Sequence, residues 1–137
     1  MREIKFRGKR LDNGEWLYGY MIGNDVIVGE IVEFCDEYFN TEFWWRVDPE
    51  TVGQYTGLKD KNGKEIYEGD IIEFDKWMPN ETFVRVIRGE VYWSNKGYWA
   101  VRNKDGKFLE LLGRTENPEQ IGNIYVSPEL LKGEETA

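Results

Sequence analysis

The sequence contains no histidine and a single cysteine, Cys35. Without imidazole there is no Ser-His-Asp or Cys-His pair, no base poised near neutral pH and no histidine-ligated zinc. One thiol excludes an internal disulfide framework and suits a reducing cytosol. Cys35 stands between Glu33 and Asp36 with no cation beside it. Acidic neighbours raise a thiol pKa rather than creating a thiolate, so a packed or half-buried small residue is expected there. No apolar run approaches the ~20 residues that span a bilayer, and Met1-Arg2-Glu3-Ile4-Lys5 does not open a signal peptide.

The phosphate-binding motifs are missing too: there is no GxxxxGK(S/T), and no GxGxxG between a strand and a helix. Asp60-Lys61-Asn62-Gly63 begins like a calcium loop, but its glycine comes fourth rather than sixth and Ile71 stands where the closing Glu belongs. For an enzyme, only carboxylate chemistry is left. With 26 acidic residues, some pair falls ~5–10 Å apart by accident, so that pattern selects nothing. The expectation is a protein that is not an enzyme, with no catalytic residue, no metal and no cofactor.

What is present is charge and aromatic rings. The 137 residues, 16.2 kDa, are 32% charged and 15% aromatic, with a net charge of −8. That is too aromatic for a disordered chain and too charged for a membrane protein. Short alternating segments are separated by turn signals: Asp12-Asn13-Gly14, Gly23-Asn24-Asp25, Asn62-Gly63, Glu68-Gly69-Asp70, Asn95-Lys96-Gly97 and Asp105-Gly106. Strands are predicted around Ile4–Arg7, Glu15–Ile22, Val26–Phe34, Glu42–Val47 (closed by Asp48-Pro49), Asp70–Phe74, Thr82–Trp93, Tyr98–Val101, Phe108–Leu112 and Ile121–Val126. The Thr82–Trp93 strand is expected to bend at Gly89. In the strand after Gly69, Ile72 and Phe74 share one face, and Ile71 and Glu73 the other. Ser127-Pro128-Glu129 offers a helix start, with an N-cap, a proline at the first position and an early acid.

This pattern predicts a mainly β protein of two small packed β-subdomains. Residues 1–67 form the first, including the central hairpin; 68–126 form a small barrel; 127–137 form a short helical turn and tail.

The stretch Gln54-Tyr55-Thr56-Gly57-Leu58-Lys59-Asp60-Lys61-Asn62-Gly63-Lys64-Glu65-Ile66-Tyr67-Glu68-Gly69-Asp70 resembles the signature of the YopX family of phage and prophage proteins. The opening Ile4-Lys5-Phe6-Arg7, the closing Ile121-Gly122-Asn123-Ile124-Tyr125 and Pro128-Glu129-Leu130-Leu131 resemble that family's two ends. The resemblance implies an SH3-like barrel in the C-terminal part and the cytoplasm of a bacterial host as the setting. It brings no catalytic residues. Read physically, the signature makes a shape: Gly57, Gly63 and Gly69 suit turns that need no Cβ, Asp60 and Asp70 can accept from local amides, and Tyr55, Ile66 and Tyr67 fill a seam.

Charge is segregated. Residues 11–50 hold one basic residue against ten acidic, whereas 1–10 hold five against one and 76–114 eight against four. Three partner readings follow. The acidic half could meet the basic barrel of another copy in a homo-oligomer, or its acidic face could imitate nucleic acid before a bacterial host factor. Alternatively Lys76, Arg85, Arg88, Lys96, Arg102, Lys104, Lys107 and Arg114 could line a barrel face where Trp77, Trp93, Tyr98 or Trp99 stack on single-stranded bases. The net charge of −8 disfavours the last. Trp16, Trp93 and Trp99 read as core. Trp44 and Trp45 point to opposite faces of one strand, and Trp77 reads as a loop residue, so Trp44, Trp45 and Trp77 are the candidate protein-binding residues. Protein contacts are therefore favoured over nucleic acid, and no membrane partner is expected.

Overall fold

The Asn62–Gly63 and Asp105–Gly106 steps become hairpin loops of one form. In the computed structural model, which describes residues 3–77 and 84–132, Asp60-Lys61-Asn62-Gly63-Lys64 and Asn103-Lys104-Asp105-Gly106-Lys107 close identically. The first residue's amide donates to the fifth residue's carbonyl, at 2.8 Å in both loops, and the glycine amide donates back to the first carbonyl. One side-chain oxygen, Asp60 Oδ1 or Asn103 Oδ1, accepts the amides of the third and fifth residues, each at 2.9 Å. Gly63 and Gly106 take φ of +83° and +82°, where a Cβ would strain the backbone.

The chain divides into two compact units, with the boundary between Tyr55 and Thr56. In the first, β1 (Phe6–Arg10), β2 (Trp16–Ile22) and β3 (Val26–Val28) form an antiparallel meander. β6 (Trp44–Lys59) then pairs with β3 through Trp44–Arg46 and with β1 through Val47, Asp48, Gly53 and Gln54. The pairings β1-β2-β3-β6-β1 thus close into a ring. The sequence suggested a strand ended by Asp48-Pro49. Instead, residues 49–52 bulge out of a continuous β6, between the pairs Lys9–Asp48 and Arg7–Gly53. Proline is tolerated there because the bulge asks no ladder bond of it. Thr51 Oγ1 replaces the missing partner, accepting the Lys9 amide at 2.9 Å and donating to the Asp48 carbonyl.

The second unit begins with the end of β6, which pairs with β7 (Glu65–Tyr67). The central hairpin therefore belongs to this unit, whereas the sequence grouped it with the N-terminal half. Ile66 packs in one cluster with Ile72, Phe74, Val91, Val101 and Leu112. The main sheet runs β11 (Phe108–Leu111), β10 (Trp99–Arg102), β9 (Val84–Trp93), β8 (Asp70–Trp77), β12 (Glu116–Asn123). This is a meander whose last strand returns beside its first. Among the described residues no ladder joins β11 to β12. A 3-10 turn at Leu112–Arg114 links those two strands, and a one-turn helix, α1 (Glu129–Lys132), ends the described chain. The fold is mainly β, as expected. Ile72 and Phe74 face the core while Glu73 turns outward to Arg88.

Two differences have clear causes. β9 pairs with β8 in unbroken register through Gly89 and with β10 from Glu90 onward, so no bulge falls at the glycine; a Cβ there would meet Val101 Cγ1 at 2.6 Å and the Arg102 carbonyl oxygen at 2.7 Å. Residues 82 and 83 of that predicted strand lie outside the described residues, as does Met78-Pro79-Asn80. Gly57, expected in a turn, lies inside β6 with φ of +87°.

Gly89→Ala is expected to cost about 1–3 kcal/mol by overpacking, read from urea unfolding. Gly113→Ala, where nothing lies within 4 Å of the added methyl, should stay within about 0.5 kcal/mol of wild type.

Asp60 makes the second prediction. Burial alone would raise its pKa, but amide bonds from Gln120, Lys64 and Asn62 outweigh this and hold it below its ordinary value of 3.8. Asp60→Asn would set an NH2 group against the Gln120 amide, now 2.9 Å from Oδ2, at a cost of about 1–3 kcal/mol. Because the folded pKa is depressed, the carboxylate's contribution is complete above the unfolded value and disappears as pH falls through the folded one. The stability gap between wild type and Asp60→Asn should therefore hold from pH 7 to about 5 and close below about 4; a gap constant with pH would refute the assignment.

Candidate protein-binding surface

The surface starts at a glycine. Residues 26–34 read as one strand, yet the pairing with β2 stops after Val28. A Cβ on Gly29 would sit 2.8 Å from the Phe43 ring, so only glycine lets that ring close against the strand. The Gly29 amide donates to the Phe43 carbonyl and the Glu42 amide to the Glu30 carbonyl. Beyond them β4 (Ile31–Phe34) pairs with β5 (Phe39–Thr41), a two-stranded hairpin that continues the β3–β6 ladder with no third strand beside it among the described residues. Its turn closes with the Cys35 amide on the Tyr38 carbonyl at 2.9 Å. Cys35, expected to be packed, is exposed at this turn.

Every residue of β4 is exposed. Ile31, Val32, Tyr38 and Phe39 are all exposed, and Phe34 most of all at 74%. The register shift at Val32 and the run Ile31-Val32-Glu33-Phe34 put apolar groups on both sides of the ribbon, so neither face is wholly polar. Five acids and no base lie between Gly29 and Phe43. Tyr20 donates to Glu30 at 3.1 Å, a bond that raises the Tyr20 pKa, and Asn40 donates to Glu33 at 2.6 Å.

Trp44 joins this surface. Directly opposed residues in antiparallel strands project to the same side. The pairs Tyr20–Val28, Ile22–Val26 and Val28–Trp44 therefore build one outer face. Between that face and the hairpin lie two adjoining cavities of about 450 and 370 Å³, both walled by Ile22, Val28, Phe39 and Thr41. Trp44 is 63% exposed at their edge. Trp45 points the other way, paired with buried Ile27, and the Arg10 guanidinium lies 3.6 Å from its ring centroid. Asp12 holds that guanidinium at 2.7 and 2.9 Å, which lowers the Asp12 pKa.

Trp77 closes β8 in the second unit, opposite Val84, and is not a loop residue. It is 58% exposed, beside exposed Val84 and Val86.

The basic candidates do not share one face. Lys76 pairs across the ladder with Arg85, and its Nζ donates to the Leu109 carbonyl at 2.8 Å. Arg88 projects to the opposite side, bound to Glu73 at 2.6 Å and to the Leu130 carbonyl at 2.9 Å. Arg102 bonds Glu90 at 3.2–3.3 Å and lies over Tyr92. Lys104 and Lys107 are exposed in the β10–β11 loop. Close by, a groove of about 650 Å³ is walled by Tyr92, Trp93, Lys96, Tyr98, Arg102 and Phe108. Trp93 is itself exposed, edge-on to Trp99 at 4.9 Å.

The signature residues are structural. Asp60 ties its loop to β12, buried Asp70 accepts the Tyr67 amide at 2.7 Å, and Tyr55 and Tyr67 are buried. Among the described residues no group of three or more Cys, Asp or Glu side chains could hold a metal ion, and no helix is long and apolar enough to cross a membrane. Sequence reasoning missed the hairpin residues Ile31, Val32, Phe34, Tyr38 and Phe39. Its signal was the apolar Ile31-Val32 step and Phe34, which break strict alternation after a glycine.

No curated protein matches this chain. Among solved structures, the crystal structure of protein EF1440 from Enterococcus faecalis is similar, at 25% identity with a TM-score of 0.62, over 96% of this chain and 99% of that one. The family model described as YopX protein matches residues 5–132, nearly the whole length. The chain belongs to the YopX family.

Proposed function

We propose that this is a non-catalytic binding protein that works through protein–protein contacts, with the β4–β5 hairpin and the outer face bearing Trp44 as its contact surface. One observation carries the reading: the hairpin is paired to no other strand among the described residues, yet it presents apolar side chains on both sides. A two-stranded ribbon with no third strand or helix against it cannot bury its apolar side chains by itself. Exposed aromatic and aliphatic residues grouped beside a cavity are what a protein partner buries at the centre of an interface. The acids around them suit a partner with basic groups, either another copy or a bacterial host factor; for a host factor that binds DNA, the same acids would imitate phosphates. The expected setting is the bacterial cytoplasm.

A second reading rests on the Tyr92–Phe108 groove, where rings and cations together suit single-stranded bases. Against it, Lys76, Arg88 and Arg102 already bind groups of the chain itself, and the net charge is −8.

Phe34→Ala and Trp44→Ala should each leave unfolding within about 0.5–1 kcal/mol of wild type, since both rings are exposed. Each should weaken partner binding at least about tenfold, as an interface aromatic does. The measurement is quantitative capture from nuclease-treated bacterial lysate, comparing each variant with wild type. Trp45→Ala, which removes the ring under Arg10, should instead lower stability and serves as the contrast. If Phe34→Ala and Trp44→Ala capture as wild type does, the surface is wrong. Loss of all capture on nuclease treatment would favour the nucleic-acid reading.

A further inference from the structure

We propose that the β4–β5 hairpin of one copy docks in the Tyr92–Phe108 groove of a second copy, so that the protein assembles head to tail through two different surfaces. The proposal rests on the protein-binding reading above and names its partner.

Charge decides between the possible occupants. Residues 29–43 hold five acids and no base, whereas residues 92–108 hold four bases and one acid. Two hairpins facing each other across a twofold axis would bring ten carboxylates together with no cation in either ribbon. Like charges at close range disfavour that arrangement. The groove offers the opposite sign: Lys96 is in its wall, Lys104 and Lys107 stand exposed in the loop beside Phe108, and the wall's Arg102 is already neutralised by Glu90.

Shape and side-chain chemistry agree. The groove, about 650 Å³, lies within the ~300–1,000 Å³ range of sites that enclose a ligand of a few side chains. Its Tyr92, Trp93, Tyr98 and Phe108 rings match the most exposed group of the hairpin, Phe34. Aromatic pairs add attraction beyond area alone. The hairpin projects apolar groups from both sides, so a groove covers it better than a flat face does.

Because hairpin and groove differ, two copies joined by one such contact keep one free groove and one free hairpin between them. Such a contact grows into a ring or an open chain. This yields a test that neither a hairpin-to-hairpin nor a groove-to-groove interface passes. Phe34→Asp blocks the hairpin and leaves the groove. The double substitution Lys96→Glu with Lys107→Glu blocks the groove and leaves the hairpin. All three positions are exposed, and circular dichroism checks that both variants fold. In sedimentation velocity, wild type should associate as its concentration rises and dissociate as sodium chloride is raised. Each variant alone should be monomeric. Their equimolar mixture should give a one-to-one dimer and nothing larger.

A wild type that stays monomeric at about 100 μM, where a micromolar contact would be largely formed, overturns the proposal. So does either variant associating as wild type does, or a mixture that remains monomeric. The protein-binding reading fails separately: a monomeric wild type whose lysate partner is still lost with Phe34→Ala keeps that reading and removes only the second copy. An oligonucleotide that binds wild type but not the Lys96→Glu/Lys107→Glu variant, with no self-association, assigns the groove to nucleic acid and also overturns the proposal.

Discussion

The Asp60 carboxylate takes three main-chain amides, two from its own loop and one from a residue sixty positions away. Its twin loop at Asn103 shows why the residue is acidic. Asn103 needs one oxygen, for the amides of Asp105 and Lys107, and an amide side chain supplies it. Asp60 needs two, because Oδ2 also accepts the Gln120 amide at 2.9 Å. The neighbouring Lys61 amide donates to the Pro118 carbonyl, and Lys61 Nζ lies 3.3 Å from Glu119. These contacts fasten the β6–β7 hairpin to β12. The attachment leaves Ile66 at the centre of the second unit's core. Asp70, fully buried, repeats the device at the next turn by accepting the Tyr67 amide. Buried carboxylates persist where hydrogen bonds to the charged form offset desolvation.

The first unit is built with less buried apolar material. Among the described residues Ile27, Val28, Val47 and Tyr55 are its buried apolar residues, against nine in the second unit. Cations over rings supplement it: Arg7 over Trp16 at 4.9 Å, Arg10 over Trp45 at 3.6 Å and Lys5 over Tyr55 at 5.5 Å. Such contacts are worth ~0.5–2 kcal/mol each, more when desolvated. They explain why Lys5, Arg7 and Arg10 are not a free patch. Their arrangement depends on the ring closed by β6, since Arg10 and Trp45 come from β1 and β6.

The turns and the alternation of Ile72, Phe74 and Glu73 were legible, because they depend on φ and on side-chain period. Both are local properties of the chain. What was not legible depends on what stands opposite. Gly29 and Gly89 look like flexible points, but each is glycine because a neighbouring group, Phe43 or Val101, occupies the space of a Cβ. Pro49 looks like a strand end, yet the bulge between the Lys9 and Arg7 pairs absorbs it. Glu116–Gln120 carries no alternation of its own and becomes strand because β8 and the Asp60 loop provide its partners. For the candidate site, opposite orientation of Trp44 and Trp45 followed from strand geometry alone. Which of the two reaches the outer cavity required Ile27, Val28 and Arg10.

The hairpin's acids and its apolar side chains belong to one physical solution. An exposed ribbon with free edges and rings on its surface invites indiscriminate pairing with other strands. Five carboxylates along it repel any ribbon of the same kind and admit only a surface that supplies cations. Lys96 stands among rings in the second unit's groove, where Arg102 is already bound to Glu90 and cannot act as a bare charge. Attraction there is short-ranged, because exposed charges are screened over ~8–10 Å at physiological ionic strength. It therefore chooses the partner after encounter, while the rings supply the area that holds it.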